Sequence, residues 1–128
     1  GVAIPPMRAR GWGRVVAITS VSVRQPMPNI ILSNTARAGV TAYLKTVARE
    51  VAADGVTVNT IQPGTHDTDR IRQLYGTNLD AARAGQPSGT IGDADDFGSI
   101  AAFMCSDQAK FMTGTHINVD GGSFAGLM

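Results

Sequence analysis

Val56-Thr57-Val58-Asn59-Thr60-Ile61-Gln62-Pro63-Gly64 is the stretch on which the fold of this chain turns. Five of its first seven residues are β-branched. Such side chains stand well on a pleated strand and lose rotamer freedom in a helix. A strand over 56–62 follows, and Pro63-Gly64 ends it as a turn.

Upstream, Asn29 to Asp54 predicts one long helix. Leu32, Ala36, Val40, Leu44, Val47, Val51 and Ala52 recur at helical spacing. Asn29 is placed as its cap and Asp54-Gly55 as its stop. Arg14 to Thr19 is a short apolar, β-branched run, the mark of a parallel strand covered on both faces. Met7-Arg8-Ala9-Arg10-Gly11 has the basic residues and the glycine of a helix end. Downstream, Thr68 to Tyr75 predicts a short helix, with Thr68 at its cap. Residues 76–92 predict a mobile loop with room for one helical turn at 79–83. Asp93 to Asp107 predicts a helix with acidic residues in its first turn and Ile100, Ala101, Phe103 and Met104 on its apolar side. His116-Ile117-Asn118-Val119 is a third strand. Alternation of strand and helix implies right-handed crossovers and a parallel α/β sheet of about three strands with flanking helices.

Composition sets outer limits. The chain has 128 residues, 43% hydrophobic and 16% charged, the balance of one globular domain over 1–128. Lys+Arg 11 against Asp+Glu 10 leaves a net charge of +1, so neither nucleic acid nor a membrane surface is the expected partner. No apolar run has bilayer length. One cysteine excludes a disulfide framework. Two well-separated histidines beside it exclude the usual metal-site spacing. A reducing, cytoplasmic setting is expected.

The order and wording of these segments resemble the C-terminal half of the short-chain dehydrogenase/reductase family. Gly13-Arg14-Val15-Val16-Ala17-Ile18-Thr19-Ser20 is similar to one family strand, and Leu44-Lys45-Thr46-Val47-Ala48-Arg49-Glu50 to the helix that follows. The 56–64 stretch is similar to the family's Ile-x-Val-Asn-x-Ile-x-Pro-Gly, and the closing Val119-Asp120-Gly121-Gly122 to its Val-Asp-Gly-Gly. The resemblance implies a partial, Rossmann-like doubly wound sheet, an oxidoreductase activity and NAD or NADP as coenzyme. A Gly-rich strand-to-helix turn for the pyrophosphate is absent from the sequence. The expectation is therefore a truncated chain, impaired or inactive alone, with doubtful coenzyme binding of its own.

The family's Tyr-x-x-x-Lys is also absent. Tyr43 and Tyr75 are the only tyrosines, and neither has Lys four residues on. Counting back from Ala38-Gly39 puts Ser33 in the tyrosine position and Arg37 in the lysine position. Ser20 matches the family's serine. By resemblance Ser20, Ser33 and Arg37 are the catalytic set, and Arg37 also meets the coenzyme's ribose. Pro63, Gly64, His66 and Thr68 lie in the family's Pro-Gly-x-x-x-Thr segment, which meets the nicotinamide carboxamide. Ser33 and Arg37 are four apart on a helix, hence on one face. A serine hydroxyl is a far weaker acid than a phenol, and a guanidinium does not give up its proton.

Two other readings stand beside this one. Ser20 or Ser33 with His66 as base, and Asp67 or Asp69 as orienter, would make an esterase-like serine hydrolase. No Gly-x-Ser-x-Gly elbow accompanies them. Alternatively the chain is a non-catalytic oligomerising module. A bare sheet edge and the apolar 29–54 helix favour a homo-oligomer through that helix. Cys105 reads as a small core residue, His116 as structural, and Trp12 as the anchor of the turn into the first strand.

Overall fold

The computed structural model describes residues 2–127. Its sheet is formed by β1 (Gly13–Ile18), β2 (Val56–Pro63) and β3 (His116–Val119), all parallel, in the order β1-β2-β3. Gly13 pairs with Val56 and Ile18 with Ile61, while Thr60 to Pro63 pair with His116 to Val119. β2 is therefore central, and seven of its eight residues are buried. The helices are α1 (Ile4–Ala9), α2 (Ile31–Val51), α3 (Asp69–Tyr75), α4 (Leu79–Ala84) and α5 (Ala94–Met104).

Each face of the sheet has its own cover. Val56 and Val58 pack with Ala48 and Val51 of α2, and Val15, Leu44, Val47, Ile4 and Met7 close around them. Arg14 is one position out of phase with Val15, so its side chain leaves by the other face. There it donates to the Ser106 carbonyl just beyond α5, which puts α5 on the face opposite α2.

The asparagine of the 56–64 stretch has a structural task. Asn59 is buried; its Nδ2 donates to the Met112 carbonyl (2.8 Å) and its Oδ1 accepts from Thr115 N (3.1 Å). Thr113 Oγ1 accepts from Val58 N, and Lys45 Nζ donates to the Gly114 carbonyl. β2, with Lys45 of α2, thus seats the loop that delivers β3. Trp12 anchors the entry to β1 as expected: its indole N–H donates to Asp107 (2.9 Å), and the Arg14 guanidinium lies 4.9 Å from its ring centre.

Several local expectations are corrected. The apolar stripe expected on the 29–54 helix is buried only in its second half. Leu32 is 84% exposed and Val40 44%, while Thr41, Ala48 and Val51 are buried. The inward line runs 37, 41, 48 and 51, so polar Arg37 and Thr41 occupy its first turns. Asn29 does not cap α2; it sits at φ 65, and Ile30 holds the cap position without a side-chain bond. Residues 52–54 form a 3₁₀ turn rather than a last α-helical turn. On α5 the buried line runs through Phe97, Ile100 and Met104, and Phe103 turns outward. Cys105 is exposed, not a core residue. Met104 takes the inward position, and the next residue is rotated about 100° away from it. The 76–92 loop holds a helix, α4, longer than one turn. No helix among the described residues is long and apolar enough to cross a membrane.

His116 is half-buried with its Nδ1 2.8 Å from Thr60 Oγ1. Burial, then the charges of Lys45 and Arg24, hold its imidazole below the ordinary value of 6.5. The folded protein then carries fewer protons than the unfolded chain in that window, so this group's contribution to stability rises with pH. Urea denaturation should show that slope between roughly pH 5 and 7, and His116→Gln should flatten it. In the same assay Ile61→Ala, at a fully buried position, should cost about 2–5 kcal/mol.

Candidate active site

The candidate residues converge on the carboxyl ends of β1 and β2, where open parallel sheets place their ligands. A cavity of about 450 Å³ opens there. Arg37 comes from α2, Ile18 from β1, and Pro63, Gly64, His66 and Thr68 from the end of β2 and the segment after it. Arg70 and Ile71 of α3 and Ala94 and Phe97 of α5 complete the wall. All five residues expected to meet the coenzyme line this one space.

Arg37 ties the site together. Its Nε donates to Ser33 Oγ (3.0 Å), one helical turn back, and its Nη1 donates to the Thr19 carbonyl at the end of β1. Ser33 and Arg37 thus share one face of α2, as their spacing predicts. Ser20 follows Thr19 directly. Its Oγ accepts from Ser22 N (3.1 Å) and caps the 3₁₀ turn Val21–Val23. Both serine oxygens serve as acceptors within the protein, and neither serine is among the residues that line the cavity.

The Pro63-Gly64 turn is held against the end of β3. Gly64 N donates to the Val119 carbonyl (3.0 Å). A Cβ on Gly64 would stand 2.8 Å from Asp120 Cα, so only glycine allows this approach. Asp120 is fully engaged: one oxygen accepts from Gly122 N and the other from Phe124 N. The Val-Asp-Gly-Gly signature is the buttress of the cavity floor. Beyond the turn, His66 pairs with Gly92 through two backbone bonds, Asp67 N to the Gly92 carbonyl and Gly92 N to the Thr65 carbonyl.

His66 is positioned by packing. Its Nδ1 lies 3.2 Å from the Gly64 carbonyl, and its ring meets Phe97 edge to face at 4.9 Å. A Cβ on Gly92 would overlap the imidazole. Among the described residues neither Ser20 nor Ser33 bonds to His66. Asp67 is not its orienter: both carboxylate oxygens receive the Arg72 guanidinium, at 2.8 and 3.1 Å. Those hydrogen bonds hold the Asp67 carboxyl below the usual carboxylate range. Nothing here favours a serine hydrolase. Thr68 occupies the cap position of α3, yet its hydroxyl makes no cap bond; only its carbonyl is used, by Arg72 N.

Sequence reasoning missed Arg70, Ile71, Ala94 and Phe97. A signal existed in part: Ile71 and Phe97 are apolar residues in the first turns of helices that start beside the cavity. Their convergence depends on the His66–Gly92 pairing, which no local pattern announces. Among the described residues no three His, Cys, Asp or Glu side chains gather as a metal-ligand set.

A parallel Rossmann-like sheet, with Arg37 beside a Pro-Gly turn at its carboxyl end, is the framework of a short-chain dehydrogenase/reductase. Residues 2–123 match the family described as enoyl-(acyl carrier protein) reductase, and the chain belongs to this family of short-chain dehydrogenases/reductases. It is 36% identical to the acetoacetyl-CoA reductase of Cupriavidus necator over 96% of its own length and 50% of that protein. It is 38% identical to the 3-oxoacyl-[acyl-carrier-protein] reductase FabG of Vibrio cholerae over 92% of its length and 48% of that protein. The chain spans about half the length of the curated relatives it matches. Among solved structures it superposes on YwfH, an NADPH dependent reductase involved in bacilysin biosynthesis, with a TM-score of 0.89 and 26% identity over 94% of this chain and 50% of that one.

Gly92→Ala should displace the His66 ring while leaving the sheet intact. The His66 ring resonances should move in an NMR spectrum, and those of β1 and β3 should not.

Proposed function

We propose that the cavity is the nicotinamide end of an NAD(P)-dependent oxidoreductase site, in which Ser33 and Arg37 stand where the family carries tyrosine and lysine. One observation carries this reading. The Arg37 guanidinium joins Ser33 to the end of β1 and lines the same space as Pro63, Gly64 and Thr68. The residues present fit such a ring: a flat apolar wall from Ile18, Ile71 and Phe97, and a Thr68 hydroxyl not spent as a helix cap. The reductase names of the matched relatives support it.

Bound nicotinamide supplies or accepts a hydride. The chain's own residues do the rest. Thr68 Oγ1 and the backbone after Pro63-Gly64 hold the carboxamide. Arg37 presents fixed positive charge to the ribose hydroxyls. The Ser20 hydroxyl proton points to a substrate oxygen, and Ser33, polarised by Arg37 Nε, gives a second donor. Neither group is acidic enough to release its proton at neutral pH, so both orient the oxygen and water delivers the proton. Turnover by this chain alone is accordingly impaired relative to a tyrosine-bearing relative.

The test uses nicotinamide riboside, which carries the ring and ribose but no phosphate. Saturation-transfer NMR on the 128-residue chain should show its ring protons in contact with protein. Thr68→Val and Arg37→Gln should each weaken the signal several-fold, and Arg83→Gln should not. Absence of saturable contact with the wild-type chain would sink the reading.

A further inference from the structure

We propose that the cavity is also an oxyanion site, in which Arg70 together with Arg37 receives a phosphate or carboxylate group. This rests on the cavity being the ligand site of the oxidoreductase. Its wall carries two guanidiniums and one imidazole and no carboxylate. The chain as a whole has a net charge of only +1, so this concentration is local and not an effect of bulk composition.

Three nearby carboxylates are committed elsewhere, and Asp69, next to Arg70 in sequence, is not part of the cavity wall and forms no ion pair among the described residues. Asp67 holds Arg72 with both oxygens. Asp93 caps α5 by accepting from Asp95 N and Asp96 N. Asp120 accepts from Gly122 N and Phe124 N. Arg72 and Arg83 each hold an aspartate, whereas Arg70 makes no ion pair among the described residues. Two guanidiniums facing one space without a counter-charge repel each other, and an anion between them removes that repulsion. A guanidinium offers paired N–H donors matched to phosphate or carboxylate oxygens.

Two sources share this chemistry: the diphosphate of a dinucleotide, and an acid group on the substrate. The chain labelled with ¹⁵N would be titrated at constant ionic strength with pyrophosphate and with butanoate, and with butanamide as the uncharged control. The Gly64 and Gly92 amides and the His66 ring report on the cavity. Saturable shifts are expected with at least one anion and not with butanamide. Arg70→Gln should weaken that binding by about tenfold, while Arg83→Gln, already paired with Asp80, should leave it unchanged. Tighter pyrophosphate binding assigns the site to the dinucleotide, and tighter butanoate binding assigns it to the substrate. No saturable shift with either anion, or equal binding by Arg70→Gln, overturns the proposal. Anion binding without nicotinamide riboside binding would leave the oxyanion site standing and remove the coenzyme reading. The reverse pattern would remove only the oxyanion site.

Discussion

Everything in this molecule hangs on the burial of β2. A central strand of a parallel sheet has both edges bonded and both faces covered. Its side chains are therefore expected to be apolar or to have their polar atoms satisfied; Thr57 and Gln62, buried with side-chain atoms that find no partner among the described residues, depart from this. Val56, Val58 and Ile61 meet the first condition. Asn59 and Thr60 meet the second, by holding the loop before β3 and the His116 ring. Asn59 and Thr60 thus tie β2 to the segment that follows α5, and β3 lands where Asn59 puts it. The Pro63-Gly64 turn, and with it the cavity floor, inherits that placement through the Val119 carbonyl.

The site is built at the exit of this strand by three contributions. α2 brings a cation already anchored to the end of β1. The turn after β2 brings backbone held tightly against Asp120. The His66–Gly92 pairing then draws α5 over the opening, so that Phe97 closes one side against the imidazole. Arg37, the Pro63-Gly64 turn and Phe97 are distant from one another in sequence. What they share is the sheet's carboxyl edge, which gathers the loops that follow parallel strands.

The fold was largely legible in the sequence because its elements depend on local chemistry. The β-branched content of 56–62 and the turn signals at Pro63-Gly64 and Asp54-Gly55 sit within single short windows. The burial of α2 was legible only in part. Periodicity pointed to Leu32 and Val40, but the sheet receives the adjacent line, where Arg37 lines the cavity and the Thr41 hydroxyl is satisfied by the Arg37 carbonyl. Cys105 was misplaced for a similar reason: one residue's rotation on a helix decides inside from outside, and composition cannot register it. The resemblance singled out Ser20, Ser33, Arg37 and the 63–68 segment, and the structure brings Arg37, though not Ser20 or Ser33, into one cavity with Pro63, Gly64, His66 and Thr68. Arg70 and Phe97 were not singled out, since they enter through contacts between loops.

The two hydrogen bonds donated by Arg37 have an evolutionary consequence. Its guanidinium spans two acceptors, Ser33 Oγ and the Thr19 carbonyl, from one side chain. A lysine ammonium is a compact point charge and does not reproduce that fork. A phenol at position 33, for its part, would fill the space in which the serine now receives Nε. Residues in one such network change stability and function non-additively. Ser33 and Arg37 therefore behave as a single epistatic unit. Changing either residue alone removes the Arg37 Nε–Ser33 Oγ bond, so exchange with the family's tyrosine and lysine is a paired change rather than two independent ones.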